Sequence, residues 1–183
     1  NMIFLAGAGP MGLAALSYAL LREDVKPKVL VVTDIDPIRL ARAARIFPVE
    51  QALSKGITLK YVNTSGLKDP LPALKALVPE STYDDVIVFA PIAPLVELGD
   101  ALLGNDGCLN FFAGPADSKF QAKINFYQVH YGFTHLVGTT GGNAQDMNEA
   151  LHWMKSGLDP AFLITHIGGL NAVIETTLNL PSI

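Results

Sequence analysis

Cysteine is almost absent. Cys108 is the only one, which excludes an internal disulfide and any metal site built from clustered thiolates, and fits a reducing cytoplasm. Charge is sparse too: 16% of residues are charged and the formal net charge is −4. That balance argues against an electrostatic nucleic-acid binder. No apolar run is long enough to cross a bilayer as a helix, so no membrane partner is expected. No basic n-region precedes the first apolar run, so no signal peptide is read. The four histidines, His130, His135, His152 and His166, stand at no zinc-ligand spacing with Cys, Asp or Glu. His152 reads as solvated on a helix, and the other three as hydrogen-bonded structural residues in strands.

Apolar residues are plentiful, at 50% of 183 residues. That suffices for one domain with a sizeable core and suggests a face that meets another domain or subunit. Met2 to Ala6 has the length of a strand. Gly7, Gly9 and Gly12 follow at G-x-G-x-x-G spacing, and the residues from Leu13 to Leu21 read as a helix. The first glycine permits a tight turn, the second lets backbone approach a diphosphate, and the third lets helix and strand pack closely. The diphosphate would then rest on free N–H groups at the positive helix end. A second buried-type strand, Lys28–Asp34, ends in an acid 22 positions after Gly12. That is close to the distance expected of the carboxylate that accepts ribose hydroxyls. Strand, glycine turn, helix, strand and acid in this order predict dinucleotide binding.

Further strands are expected at Ile57–Val62, Tyr83–Ala90, Cys108–Ala113 and Thr134–Thr140. Helices are expected at Pro37–Arg45, Leu71–Leu77, Pro94–Leu103 and Ala144–Lys155. The alternation predicts an α/β, doubly wound, parallel six-stranded sheet, the Rossmann fold. Ile124–His130 has strand composition and predicts an antiparallel hairpin, 124–140, at the sheet edge, which a twofold-related partner could complete. Residues 1–160 read as the dinucleotide-binding domain and 161–183 as a tail leading elsewhere. The abrupt start on the first strand suggests a domain excised from a longer protein.

Asn143 is placed to cap the helix after it and Gly157 to end it. Met147, Leu151 and Met154 read as that helix's core-facing stripe. Asp84 and Asp85 read as solvating a strand entrance, Asp36 with Pro37 as starting a helix, and Cys108 as a small core residue. No positioned general acid or base stands among the expected strand ends.

The chain resembles the coenzyme domain of the medium-chain (zinc-type) alcohol and polyol dehydrogenases over nearly its whole length. The matching residues are Gly7-Ala-Gly-Pro-Met-Gly12, the Asp34-x-x-x-x-Arg39-Leu-x-x-Ala43 spacing, Phe112-Ala-Gly-Pro115, His135–Gly142, Ala150–Gly157 and Leu163-Ile-Thr-His166. The resemblance implies that Gly7, Ala8, Gly9, Pro10, Met11 and Gly12 hold the diphosphate. Asp34 would bind the adenosine ribose, with Ile35 and Arg39 beside it. Ala90 and Pro91 would flank the path to the nicotinamide, and Ala113, Gly114, Gly138, Thr139 and Thr140 would hold the carboxamide. Asp34 implies NAD over NADP, because a carboxylate repels a 2′-phosphate. The resemblance also implies a homodimer through 124–140, and zinc ligands in a catalytic domain that this stretch lacks. Phe47–Ala52 departs from the family's usual Gly-Ala-Asp and marks a divergent subgroup. Tyr61-Val-Asn-Thr64 and Ala113-Gly-Pro-Ala116 are similar to sugar-phosphate reductases of the sorbose 1-phosphate kind.

The resulting expectation is the NAD(H)-binding domain of an oxidoreductase that interconverts a secondary alcohol and a ketone on a polyol, sugar or sugar phosphate, inactive by itself. The alternative is a non-catalytic module that senses NAD(H). A methyltransferase is disfavoured by the lack of an Asn/Asp-Pro-Pro-Tyr motif, and a short-chain dehydrogenase by the lack of any Tyr-x-x-x-Lys pair.

Overall fold

A computed structural model describes residues 1–180. Six strands form one sheet: β1 (Met2–Ala6), β2 (Val29–Asp34), β3 (Thr58–Asn63), β4 (Tyr83–Val88), β5 (Leu103–Phe111) and β6 (His135–Gly138). Their order is β3-β2-β1-β4-β5-β6 and every pairing is parallel. The winding reverses between β1 and β4, so the carboxyl ends of these neighbours open a crevice. Eight α-helices complete the described chain: α1 (Pro10–Leu21), α2 (Pro37–Ile46), α3 (Val49–Ser54), α4 (Pro70–Lys75), α5 (Ala93–Leu102), α6 (Phe126–Tyr131), α7 (Ala144–Lys155) and α8 (Val173–Asn179).

β2 is buried at all six positions, as the run Val29-Leu-Val-Val requires when both sheet faces are covered. Phe4, Val31, Tyr83, Val86 and Leu109 fill one face, and Leu5, Leu13, Leu16, Leu30, Val32 and Ile57 the other. Tyr83 keeps its hydroxyl satisfied inside the core by donating to the Leu74 carbonyl at 2.8 Å. Burial pushes its phenol up to about 12. Proline at the first turn starts α1, α2 and α4, and the Asp36 and Asp69 carboxylates cap the latter two. Asn143 and Asp146 close a reciprocal capping box on α7, and Gly157 follows its end at φ +109°.

Three expectations are corrected. The antiparallel hairpin 124–140 does not form. Asn125 caps α6 by accepting from the Tyr127 amide at 3.1 Å, and the Asp100 carboxylate holds the Asn125 amide at 3.0 Å. The aromatic run therefore coils, and the chain returns to β6 as a parallel crossover. Met147, Leu151 and Met154 do not face the core: they are 65%, 54% and 44% exposed. α7 instead turns Glu149 and Trp153 toward Tyr18 of α1. His130 lies in α6 and His166 in an irregular segment, leaving only His135 in a strand. α3, whose first residue follows Pro48, is not among the expected helices. Of the expected tail, residues 181–183 lie outside the described residues.

Candidate functional site

The three glycines at the end of β1 answer to different constraints. Gly7 adopts φ +129°, a conformation that side chains resist. A Cβ on Gly12 would sit 1.9 Å from the Gly7 carbonyl oxygen, so the close approach of α1 to the turn demands glycine. A Cβ on Gly9 would meet nothing within 4 Å. The protein's own packing therefore does not require glycine at position 9. A bound group lying against the backbone would require it.

Gly9 precedes α1 without capping it through a side chain, and the first turn holds no acid. The Met11 and Gly12 amides have no intrahelical acceptor at this end. The turn thus presents uncompensated positive character to the crevice, suited to a diphosphate.

Asp34 ends β2 beside it, only 8% exposed. Its Oδ2 accepts from the Ala8 amide at 2.9 Å and its Oδ1 from the Asp36 amide at 2.9 Å. The carboxylate thereby ties the glycine turn to the end of β2. Arg39 lies above it, with Nη1 4.0 Å from Asp34 Oδ2 and Nε 3.7 Å from Asp36 Oδ2. Each carboxylate oxygen retains a lone pair for a sugar hydroxyl.

Gly7, Gly9, Pro10, Met11, Gly12, Asp34, Ile35, Arg39 and Ala90 line one cavity of about 690 Å³. Ala8 is buried behind it and acts through its amide. The other expected residues do not join this cavity. Pro91 is exposed outside it, and Ala113 and Gly114 follow β5. Gly138 ends β6, with Thr139 and Thr140 exposed after it. The cavity thus gathers the glycine turn and the Asp34 carboxylate, and the residues expected at the ring end stand apart from it. Thr64, Asp69, Pro70, Leu71, Leu95 and Leu98 also line it, and sequence reasoning missed them. The available signal was topological: Thr64 to Leu71 follow β3, and Leu95 and Leu98 follow β4 on the same edge of the sheet.

A smaller crevice of about 300 Å³ lies behind α1 between Lys55 and Phe162. Its one ammonium, Lys55 Nζ, is held by the Leu20 carbonyl at 3.0 Å. Among the described residues no three His, Cys, Asp or Glu side chains converge on a metal position. Asp85, which burial and then Asp84 push upward from the ordinary carboxylate range, lies in mid-sheet on β4.

No family model matches the chain. It is 52% identical over 184 residues to the uncharacterized protein YggP of Escherichia coli K12, covering 100% of this chain and 43% of that protein. It is 52% identical over 180 residues to the mannitol-1-phosphate 5-dehydrogenase of Aliivibrio fischeri, covering 98% of this chain and 42% of that one. To the L-sorbose 1-phosphate reductase of Klebsiella pneumoniae it is 46% identical over 185 residues, covering 100% and 43%. The chain thus spans less than half the length of these curated relatives. Its fold matches that of 2R,3R-butanediol dehydrogenase from Bacillus subtilis with a TM-score of 0.78 at 15% identity, covering 99% of this chain and 47% of that one. The match to an E. coli CFT073 alcohol dehydrogenase complexed with NADH has a TM-score of 0.75 at 15% identity, covering 99% and 48%.

Proposed function

We propose that the chain belongs to the medium-chain (zinc-type) alcohol and polyol dehydrogenase family, and that residues 1–160 are its NAD(H)-binding domain. The parent enzyme interconverts a secondary alcohol and a ketone on a polyol, sugar or sugar phosphate in the cytoplasm. The names of its relatives support the phosphorylated branch of that range. The observation that carries the reading is the open space at Gly9 beside the buried acceptor Asp34.

The dinucleotide would supply the hydride acceptor or donor. The chain's own residues bind and orient it. Met11 and Gly12 amides meet the diphosphate, and Asp34 accepts from the adenosine ribose and disfavours a 2′-phosphate. Ala90 and Pro91 border the path toward the ring. Ala113, Gly114, Gly138, Thr139 and Thr140 hold the ring end once the rest of the enzyme closes on it. Residues 161–183 lead into that remainder, where the zinc ligands would lie. Without it this stretch binds the dinucleotide and turns over nothing. A module sensing the redox state of NAD(H) would need a gripped ring, and the ring-end residues lie outside the cavity. That favours the enzyme-domain reading.

The pairing surface moves from the expected hairpin to the free edge of β6. Exposed Leu136 and Val137 on β6, with Tyr131 and Phe133 before it, suit a second copy of the chain. The principal test is titration with NADH and NADPH. NADH binds more tightly, and Asp34→Ala weakens NADH by about tenfold while narrowing the gap to NADPH. An unchanged preference in that variant would remove the assignment.

A further inference from the structure

The cavity does not stop at the ribose acceptor. β3 is the outermost strand on the Asp34 side of the sheet. The segment leaving its carboxyl end brings Thr64, Asp69, Pro70 and Leu71 into the same cavity. α4 then packs beside α5, so Leu71 faces a wall that includes Leu98. A nucleotide with its diphosphate on the glycine turn and its ribose at Asp34 must place its base in this outer part. The surroundings suit a flat ring. Ile35 stands 66% exposed on the rim, an apolar side chain that a stacked base would cover. Pro70, Leu71 and Leu98 supply the other apolar surfaces.

The polar groups there are few: the Thr64 hydroxyl and three charged side chains that are already partly used. Arg39 leans toward Asp34 and Asp36. Glu97 accepts from the Lys123 amide at 3.1 Å. Asp69 spends only Oδ1, accepting from the Leu71 amide at 3.1 Å as the cap of α4. Among the described residues its Oδ2 has no protein donor. A carboxylate is an acceptor only, and the six-position substituent that offers it a donor is an amino group.

We propose that Asp69 is a base-reading residue, and that its Oδ2 accepts from the exocyclic amino group of adenine. The proposal rests on the dinucleotide reading of this cavity and adds to it. It makes the site selective for the adenine base as well as for the sugar and diphosphate. The cap fixes the carboxylate by one oxygen, which leaves the other oriented without further ordering.

The test compares NADH with nicotinamide purine dinucleotide in its reduced form, in which hydrogen replaces the six-amino group and nothing else changes. Both are titrated against the wild-type chain and against Asp69→Ser. Serine keeps an N-terminal cap for α4 but is too short to reach the base, and a thermal melt confirms that the variant folds. The wild-type chain binds NADH about fivefold to tenfold more tightly than the purine analogue. In Asp69→Ser the two ligands bind within about twofold of each other, at the affinity the wild type has for the analogue. Equal affinity of the wild type for both ligands overturns the base-reading role while leaving NADH binding intact. A preference that persists in Asp69→Ser overturns it as well, because another group then reads the base. Failure of the wild type to bind NADH at all removes the dinucleotide reading, and this inference with it.

Discussion

Between Met2 and Ala113 the apolar positions of strands and helices interlock into two buried clusters, one on each face of the sheet. Between residues 135 and 180 no residue is buried, although this stretch carries Met147, Leu151, Met154, Ile164, Ile167, Val173, Ile174 and Leu178. The first region satisfies its hydrophobic pattern within itself. The second is amphipathic without a partner among the described residues. It is tied down by a few side chains: Trp153 edge-on to Tyr18, Phe162 edge-on to Phe47, and Arg42 donating to the Phe162 carbonyl at 2.6 Å. The proposed cofactor compartment lies wholly in the first region. On that proposal the adenosine half would bind within the packed region, and the chain's unpartnered apolar surface lies beyond it.

The two glycines of the turn give the sharpest way to break that comparison. Gly12→Ala places a methyl group 1.9 Å from the Gly7 carbonyl oxygen, within the first region. It costs about 3 kcal/mol, lowering Tm by about 10 °C in a melt followed by circular dichroism. Gly9→Val meets open space, so its Tm stays within about 2 °C of the wild type. NADH affinity is nonetheless lost, because the side chain occupies the approach of the diphosphate. If Gly9→Val kept NADH affinity, the cradle would be a turn and nothing more.

A smaller effect is expected in the second region. Trp153→Ala removes the aromatic contact with Tyr18 and the indole hydrogen bond to Glu149 at 3.2 Å. Amide exchange in α7 rises, while the global Tm moves by less than about 2 °C, because this helix covers little of the core. A fall in Tm matching that of Gly12→Ala would show the two regions to be one cooperative unit.

The same contrast governs what could be read from sequence. Continuous apolar runs between turn signals mark the strands β1 and β2 almost to the residue, because burial on both faces leaves one solution for Val29-Leu-Val-Val. The glycine turn is legible for a similar reason, since Gly7 and Gly12 each answer to a local backbone requirement. The failures lie where tertiary contacts overrule local composition. Ile124-Asn-Phe-Tyr-Gln-Val has strand-forming residues, yet the Asp100 carboxylate from α5 holds the Asn125 amide and a helix starts there. The methionine stripe of α7 has correct helical spacing, but spacing cannot say which face meets α1. Asp69 was illegible for another reason. It becomes a cavity residue only because β3 is the outermost strand on the Asp34 side of the sheet.

The smallest expected effect tests the packed region from within. Asp85 sits on β4, in register with Ile3 of β1 and Cys108 of β5. Burial first, and the neighbouring Asp84 second, raise its pKa above the ordinary carboxylate value that it has in the unfolded chain. The folded chain then holds this proton more tightly than the unfolded chain does. Its contribution is therefore fully present below that unfolded value and lost as pH rises through the raised folded one. At neutral pH the ionised carboxylate opposes folding. Asp85→Asn removes the charge and keeps the shape, so the variant melts higher at pH 7. The group is only partly buried, so solvent screening limits the gain to less than about 1 kcal/mol, or about 2 °C. Melts from pH 3.5 to 8 decide the matter: the gain shrinks toward the acid end, where the wild-type carboxyl takes up its proton. A gain of equal size at both ends would mean that the amide packs better and that charge has no part in it.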